Sequence, residues 1–242
     1  MQVAILAGGL ATRLGDLTRR KPKSMVEIMG KPFLEYQLDQ IHRNGITDAL
    51  LCIGHLGEQI EEYFGDGHRF SLTIKYSREE KPLGTAGALR NAESLLDDVF
   101  FTLYGDSYLF LDFGAAMNYF LSQNKLALMS VYKNFDHYDR SNVARDRDLV
   151  KKFSKEEKTK DMVYIDYGAN IFRKEILQMI PKGEFCSLED IFPKLAEMGE
   201  LLAYEVQERF YEIGSPQGLK DFEEFIKNVE CTKTRIGSCA RN

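Results

Sequence analysis

Cysteine and histidine are scarce in this 242-residue chain, with 4 of each. The cysteines, Cys52, Cys186, Cys231 and Cys239, are widely separated and form no Cys-x-x-Cys pair. No His-Glu-x-x-His motif is present either. These absences argue against a disulfide scaffold and against a transition-metal active site. The cysteine pattern is typical of reduced thiols in a cytosol, so we expect a cytoplasmic protein.

Long apolar runs are missing as well. Nowhere do about 18 apolar residues follow one another, so the sequence predicts no membrane span. No cationic stretch precedes the first apolar run, so we do not expect the N-terminus to be a signal peptide. The formal net charge of −5 argues against a general nucleic-acid-binding surface. We therefore expect neither a membrane nor a nucleic acid as a partner.

What the chain does contain is a phosphate-binding pattern at its start. The apolar run at residues 3–7 predicts a buried strand, which ends directly in Gly8 and Gly9. A loop rich in cations follows, including Arg13, Lys21 and Lys23. Glycine lets backbone N–H groups approach phosphate oxygens, and Arg and Lys neutralise the phosphate charge. The segment therefore indicates a polyphosphate site, with a solvated charged loop as the alternative.

Apolar runs alternate with helical periodicity along the first half of the chain. Strands are predicted at 49–53, 72–76, 99–104 and 126–132, and helices at 33–44, 57–64, 85–96 and 112–123. This βαβα succession predicts an α/β fold with a mostly parallel sheet covered by helices. Further on, the patterns predict short antiparallel pieces, strands at 164–172 and 203–206, and a helix from 216 to about 228. We predict one domain over residues 1–230 and a loose C-terminal tail at 231–242.

Several motifs carry a family resemblance. They are Gly8-Gly9-Leu10-Ala11-Thr12-Arg13-Leu14, Pro22-Lys23, Gly30-Lys31-Pro32, Pro82-Leu83-Gly84-Thr85-Ala86-Gly87, Tyr104-Gly105-Asp106 and Tyr211-Glu212-Ile213-Gly214. In this order they resemble the motifs of sugar-1-phosphate nucleotidyltransferases, and the chain looks like the short bacterial mannose- or heptose-1-phosphate guanylyltransferases. The resemblance implies the Rossmann-like nucleotide-diphospho-sugar transferase fold. It also implies a nucleotide-binding half at about 1–110 and a sugar-binding half at about 111–230.

The reaction that the resemblance implies is nucleotidyl transfer in NDP-sugar and polysaccharide biosynthesis. A sugar-1-phosphate would attack the α-phosphorus of a nucleoside triphosphate, and pyrophosphate would leave. The attacking phosphate is largely ionised near neutral pH, because its second pKa is about 6. No activated Ser, Cys or His is needed, so catalysis should consist of positioning and charge neutralisation.

The resemblance assigns the catalytic roles to Arg13, Lys23 and Asp106. Arg13 and Lys23 match the family residues that bind the triphosphate, with surface salt bridges as the alternative. Asp106 follows a predicted buried strand, where a carboxylate is well placed for Mg²⁺, and a turn cap is its alternative. Glu212 is the expected second Mg²⁺ ligand, although the family usually has Asp there. Ala11 replaces a family glycine and is a second departure.

Residues expected to bind the nucleotide are Leu6, Ala7, Gly8, Gly9, Thr12, Glu79, Gly84 and Thr85. Glu79 lies three residues before Pro82–Gly87, the strip that contacts the base in the family. In this strip, Gly84 and Gly87 would let the base lie against the backbone. A carboxylate there could accept from guanine N1–H and N2–H₂ or from the amino group of cytosine. An exposed acid beside Glu80 is the alternative. GTP is favoured, but the base stays open at this point.

The sugar side is expected to involve Asn142, Lys155 and Gly168. Lys155 falls where the family commonly has Glu-Lys, so it is expected to bind the phosphate of the sugar. Lys155 also lies in a lysine-rich stretch, and a solvated face is an equal alternative. Gly168 could let backbone approach the hexose ring or could be a simple bulge.

The sequence also matches other functions, less well. A uridylyl- or cytidylyltransferase is the alternative within the class, because residues 22–27 also resemble cytidylyltransferases. A non-catalytic sugar-nucleotide-binding regulatory subunit is motivated by Ala11 and Glu212, and Arg13, Lys23 and Asp106 argue against it. A dinucleotide dehydrogenase is disfavoured because no Gly-x-Gly-x-x-Gly follows the first strand. A homo-oligomer is left open.

Overall fold

The computed structural model describes residues 1–9 and 20–239 of the chain. Helices in these ranges are α1 (Phe33–Arg43), α2 (Gly57–Phe64), α3 (Gly84–Asn91), α4 (Phe113–Ser122), α5 (Leu188–Glu197) and α6 (Pro216–Cys239). Strands are β1 (Gln2–Leu6), β2 (Glu27–Ile28), β3 (Lys31–Pro32), β4 (Asp48–Ile53), β5 (Thr73–Arg78), β6 (Val99–Tyr104), β7 (Ser107–Tyr108), β8 (Ala127–Lys133), β9 (Val143–Asp146), β10 (Leu149–Phe153), β11 (Tyr164–Arg173), β12 (Leu201–Val206) and β13 (Tyr211–Glu212). Short 3₁₀ turns lie at Lys23–Met25, His68–Phe70, Glu93–Leu95 and Lys174–Met179.

One large sheet organises the described residues, with strand order β5-β4-β1-β6-β11-β8-β12-β10-β9. The first four of these strands pair in parallel, as do β8 and β12, whereas β11 runs antiparallel to both β6 and β8. The predicted α/β fold with a mostly parallel sheet is confirmed. In the parallel part, β1 lies between β4 and β6, so Leu6 at its end lies beside Cys52 and Tyr104.

Helices cover both faces of the sheet. Successive side chains of a strand point to opposite faces, so each central strand contributes to both cores. On β1, Val3 and Ile5 point into the core beneath α1, α2 and α4, while Ala4 points into the core beneath α3 and α5. The predicted apolar face of α1, formed by Leu34, Leu38 and Ile41, is buried in the first of these cores. Because both faces of the central strands are buried, nearly all of their residues are apolar.

A third apolar cluster joins the two ends of the chain. Phe222 and Ile226 of α6 pack against Ile28 and Phe33, near the hairpin formed by β2 and β3. The Phe222 and Phe33 rings meet edge to face, with centroids 5.0 Å apart. The C-terminal helix therefore holds the segment that follows the predicted phosphate-binding loop.

The prediction for the C-terminus needs a correction. Helix α6 was expected to end near residue 228 and residues 231–242 to form a loose tail, but the helix continues to Cys239. Residues 229–236 contain neither glycine nor proline, so the sequence offers no strong helix stop before Gly237.

Candidate active site

Gly105 brings the ends of β1 and β6 into close contact. Its N–H donates to the Leu6 carbonyl oxygen at 3.0 Å. A Cβ atom at position 105 would lie 2.8 Å from that oxygen, which no side-chain-bearing residue tolerates without a shift. Glycine is required here for close backbone approach. The contact brings Asp106 to the same cavity as Ala7, Gly8 and Gly9, the described residues that follow β1.

A cavity of about 410 Å³ opens where β1, β4 and β6 end. Ligands of open α/β sheets bind in this position, outside the carboxyl ends of the parallel strands. The residues predicted from the sequence that line it are Leu6, Ala7, Gly8, Gly9, Lys23, Glu79, Gly84, Thr85 and Asp106. Segments far apart in the chain thus meet around one space.

Lys23 and Asp106 form an ion pair in the wall of this cavity, between Lys23 Nζ and Asp106 Oδ2. The side chains are only 17% and 32% exposed. Ser107 Oγ donates to the other carboxylate oxygen of Asp106 at 3.3 Å. Lys23 begins the 3₁₀ turn at Lys23–Met25, directly after Pro22. The turn fixes the lysine backbone while the side chain reaches the carboxylate.

Glu212 lies next to this pair because β13 is antiparallel to β7, with Glu212 opposite Ser107. The Ile213 N–H donates to the Asp106 carbonyl oxygen at 2.9 Å. A Cβ atom at Gly214 would lie 3.2 Å from Lys23 Nζ and 3.5 Å from Glu212 Oε2. An ammonium and two carboxylates therefore converge around Gly214.

This donor set fits Mg²⁺. Magnesium in phosphoryl-transfer sites is usually held by one or two carboxylates together with substrate phosphates and water. Asp106 and Glu212 supply such carboxylates beside the cavity. Across residues 1–9 and 20–239, no group of three or more His, Cys, Asp or Glu side chains is arranged to hold a metal ion. The described residues thus match a metal shared with a phosphate substrate better than a closed protein cage.

Glu79 is half-buried at the end of β5 rather than exposed like its neighbour Glu80. Its Oε2 accepts from the Leu83 N–H at 3.2 Å. A Cβ atom at Gly8 would lie 3.0 Å from Oε1. Burial raises the pKa of the Glu79 carboxyl, and the Leu83 amide opposes that rise. A partly desolvated carboxylate with an oxygen against the β1 loop can accept from donors in the cavity.

Gly84 and Thr85 connect α3 to the segment before α5. Gly84 has φ +73°, and a Cβ atom there would lie 2.5 Å from the Cys186 carbonyl oxygen. Thr85 Oγ1 accepts from the Leu188 N–H at 2.8 Å. The resemblance explained Gly84 by the approach of a base. The structure gives it a second reason, which is close contact with a neighbouring segment of the protein.

The described lining residues do not include Asn142, Lys155 or Gly168. These three surround Asp166 on β11 instead. Asn142 Oδ1 accepts from the Asp166 N–H at 2.9 Å, and the Gly168 N–H donates to Asp166 Oδ1 at 3.0 Å. Lys155 is an exposed lysine, 2.7 Å from Glu189 Oε1. The predicted sugar-side residues thus gather around Asp166 and are not among the described residues that line the cavity.

Asp166 links that group to the cavity and was missed by the sequence analysis. Its Oδ2 accepts at 3.2 Å from the hydroxyl of Tyr104, which lines the cavity. Burial raises the pKa of the Asp166 carboxyl, while the Gly168 amide and the Lys155 charge oppose the rise. An acid within the strand predicted at 164–172 was the available signal.

Other lining residues were also missed, among them Ser24, Cys52, Ala88 and Phe185. Burial raises the pKa of the Cys52 thiol to about 12, so it stays protonated at neutral pH and is no nucleophile. The predicted site residues Arg13 and Thr12, with the departure at Ala11, lie outside the described residues.

The chain matches known proteins over most of its length. The sequence model of the family described as "Nucleotidyl transferase" matches residues 2–229. The D-glycero-alpha-D-manno-heptose 1-phosphate guanylyltransferase of Campylobacter jejuni is 32% identical, over 94% of this chain and 100% of that protein. The mannose-1-phosphate guanylyltransferase catalytic subunit beta of Danio rerio is 32% identical over 92% of this chain. This chain spans only 62% of that longer relative.

Solved structures agree with these sequence matches. HddC from Yersinia pseudotuberculosis, in a structure complexed with GMP-PN, superposes with a TM-score of 0.79 at 27% identity. The match covers 93% of this chain and 99% of that one. The inositol-1-phosphate CTP transferase from T. maritima shares the fold, with a TM-score of 0.77 at 22% identity. Within the described part of the chain, no helix combines the length and apolar character that crossing a membrane requires.

Proposed function

Since the chain belongs to the nucleotidyl transferase family, we propose that it transfers GMP from GTP to a heptose- or mannose-1-phosphate. The products are a GDP-sugar and pyrophosphate. The choice of GTP and of these sugars is supported by the names of the Campylobacter and Danio relatives. The extent of the match to the Campylobacter protein adds support, because the alignment covers all of that protein and 94% of this chain.

The observation that carries the proposal is the convergence of Lys23, Asp106 and Glu212 at the end of the parallel strands. A nucleoside triphosphate needs cations and a metal at its phosphates and a less polar space for its base. That Lys23 and Asp106 line the same cavity as Glu79 and Gly84 supports the proposal. Such an arrangement suits a nucleotide better than an uncharged ligand.

In the proposed reaction, a phosphate oxygen of the sugar-1-phosphate forms a bond to the α-phosphorus of GTP. The bond from that phosphorus to the bridging oxygen of the β-phosphate breaks, and its electron pair leaves with pyrophosphate. Lys23 gives up its contact with Asp106 and donates to the phosphate oxygens, where negative charge accumulates. We propose the same role for Arg13.

Asp106 and Glu212 are the residues that would hold Mg²⁺. When bound, Mg²⁺ supplies neutralisation of phosphate charge and orientation of the triphosphate. The contribution of the protein is to fix both carboxylates: Asp106 through Gly105, and Glu212 through the pairing of β13 with β7. Glu is longer than the usual Asp, but its side chain lies at the same point of convergence.

The sugar-1-phosphate is proposed to bind beside Tyr104 and the Asp166 group, with Lys155 near its phosphate. The Tyr104–Asp166 hydrogen bond is the connection between this group and the cavity. To bind the phosphate of the sugar, the Lys155 ammonium must leave its ion pair with Glu189. We also propose that the protein acts in the cytoplasm, where its widely separated cysteines would stay reduced.

Pyrophosphate release tests the proposal. The full-length protein is mixed with each of the four common nucleoside triphosphates and a panel of sugar-1-phosphates, with Mg²⁺ or with a chelator. We expect release with GTP and a heptose- or mannose-1-phosphate, and none with the chelator. Release only with UTP or CTP would move the function to the uridylyl- or cytidylyltransferase alternative. Nucleotide binding without release for any pair would favour a regulatory subunit.

A further inference from the structure

Phe185 lies on a segment that is fixed to the N-terminal end of α3. The Cys186 N–H donates to the Leu83 carbonyl oxygen at 2.8 Å. The Ala86 and Gly87 N–H groups both donate to the Cys186 carbonyl oxygen at 3.0 Å. The residue after Phe185 is thus held by three backbone hydrogen bonds, so the backbone that carries the ring is fixed.

The ring itself is at the mouth of the nucleotide cavity. Phe185 is 68% exposed and lines the cavity. Its Cε2 would be 3.2 Å from a Cβ atom at Gly84, so the ring lies against the glycine that begins α3. Single exposed apolar side chains are common on protein surfaces. A fixed backbone, a cavity and a contact with the Gly84 strip distinguish this one.

We propose that Phe185 is a stacking platform for the nucleobase, so that the base lies against the ring when a nucleotide binds. The inference rests on the proposed function and adds a residue that determines base affinity. An aromatic face attracts the flat face of a base, whereas it offers nothing to a triphosphate. The phosphates have Lys23 and Asp106 in the same cavity.

Stacking and edge recognition are complementary here. Stacking uses the face of a base and leaves its edge donors available to the Glu79 carboxylate, which lines the same cavity. The larger face of a purine overlaps a phenyl ring more than that of a pyrimidine. Phe185 therefore favours GTP over UTP through contact area, while the Glu79 carboxylate favours bases with edge N–H donors.

The absence of tryptophan from the chain gives a direct test. Phe185→Trp introduces a single indole, whose fluorescence reports stacking without any need for turnover. The matched control is Leu121→Trp, at a residue of α4 that is 53% exposed and is not among the described cavity-lining residues. Each variant is titrated with GTP and, separately, with inorganic tripolyphosphate, which has no base.

We expect GTP to quench Phe185→Trp strongly and tripolyphosphate to leave it unchanged, with no response of Leu121→Trp to either ligand. By calorimetry, Phe185→Ala should weaken GTP binding about tenfold or more, as loss of a base–aromatic stack does. UTP binding should weaken less. Phe185→Tyr should restore GTP binding, because it restores the ring.

Three results would overturn the inference. They are unchanged GTP affinity in Phe185→Ala, equal quenching of Phe185→Trp by tripolyphosphate, and quenching by a sugar-1-phosphate but not by GTP. In these cases the wild-type protein still binds GTP or its co-substrate, and the proposed function stands. If the wild-type protein binds no nucleoside triphosphate at all, both the proposed function and the platform are wrong.

Discussion

Two lysine–carboxylate pairs lie near the candidate site, and their surroundings differ. Lys23 and Asp106 are 17% and 32% exposed, whereas Lys155 and Glu189 are 52% and 46% exposed. An exposed pair is screened by water and salt and contributes little to stability. Charges that are partly shielded from water act more strongly on a bound phosphate. We therefore expect the first pair to act on a bound phosphate, and the second to exchange its partner easily for a ligand.

The largest effect is expected at the shielded pair. Asp106→Asn should abolish measurable pyrophosphate release, because it removes a proposed Mg²⁺ ligand and the ion-pair partner of Lys23. Losing such a clamp is worth on the order of several kcal/mol of transition-state stabilisation. The thermal unfolding midpoint should stay close to that of the wild type. Turnover near the wild-type rate would show that Asp106 does not hold the metal.

Lys23→Ala should lower kcat far more than it raises the KM for sugar-1-phosphate. Charge accumulates on the leaving pyrophosphate mainly in the transition state, where Lys23 is proposed to act. Steady-state kinetics with each substrate varied would measure this. Lys21→Ala is the matched control, since Lys21 pairs with Glu27 and is 51% exposed. A change confined to the KM for sugar-1-phosphate would move Lys23 to the sugar side.

Substitutions of Glu212, which lies next to the Lys23–Asp106 pair, test whether a second carboxylate is needed there. Glu212→Asp should retain activity, and Glu212→Gln should lose most of it, because only the first keeps a negatively charged ligand. The Mg²⁺ dependence of pyrophosphate release for both variants is the measurement. A fully active Gln variant would contradict the role of Glu212 and support the regulatory-subunit alternative.

Asp166 should show an intermediate effect that depends on pH. Its pKa is raised in the folded state, so its stabilising contribution is present below the unfolded pKa and is lost as pH rises through the folded pKa. Asp166→Asn should therefore gain stability relative to the wild type as pH rises from about 4 to about 7. Urea unfolding midpoints at both pH values would measure this, with Asp98→Asn, an exposed acid, as control. A difference independent of pH would show that Asp166 keeps an ordinary pKa.

The smallest effect is expected at the exposed pair. Lys155→Ala should change the free energy of unfolding by less than about 1 kcal/mol. It should raise the KM for sugar-1-phosphate a few-fold and leave the KM for GTP unchanged. Lys151→Ala is the control, because Lys151 is 66% exposed in the same lysine-rich stretch. If the two variants behave alike, Lys155 has no role in binding.

Patterns that involve the backbone could be predicted from the sequence. The apolar runs that alternate with helical patterns predicted the parallel half of the sheet. Strands that are apolar along their whole length are typical of parallel sheets, which helices cover on both faces. Ser187 and Asp190 form a capping box at the start of α5, and a Ser-x-x-Asp spacing before an apolar run is a helix-start pattern that the sequence already contains. The glycines of the motifs predicted close approaches, although Gly84 meets the Cys186 carbonyl oxygen as well as facing the cavity.

Features that depend on the tertiary arrangement could not be predicted. No local pattern shows that Phe185 overhangs the cavity, because its position depends on hydrogen bonds to α3, about a hundred residues earlier. The burial of Glu79 could not be predicted either, because Glu79 and Glu80 are adjacent acids in the sequence. In the structure, Glu79 is half-buried and Glu80 is exposed. The end of α6 was misplaced because weak periodicity suggested a tail where the helix in fact continues.

The pairing of β13 with β7 has a consequence for synthesis of the protein. Lys23 and Asp106 leave the ribosome long before Glu212, which is supplied by the last short strand. Domains begin to fold from the N-terminus while translation continues. A nascent chain can thus form much of its sheet and still lack Glu212, the proposed second metal ligand. If Glu212 holds the metal as proposed, we expect a product truncated ahead of β13 to bind phosphate without performing the transfer.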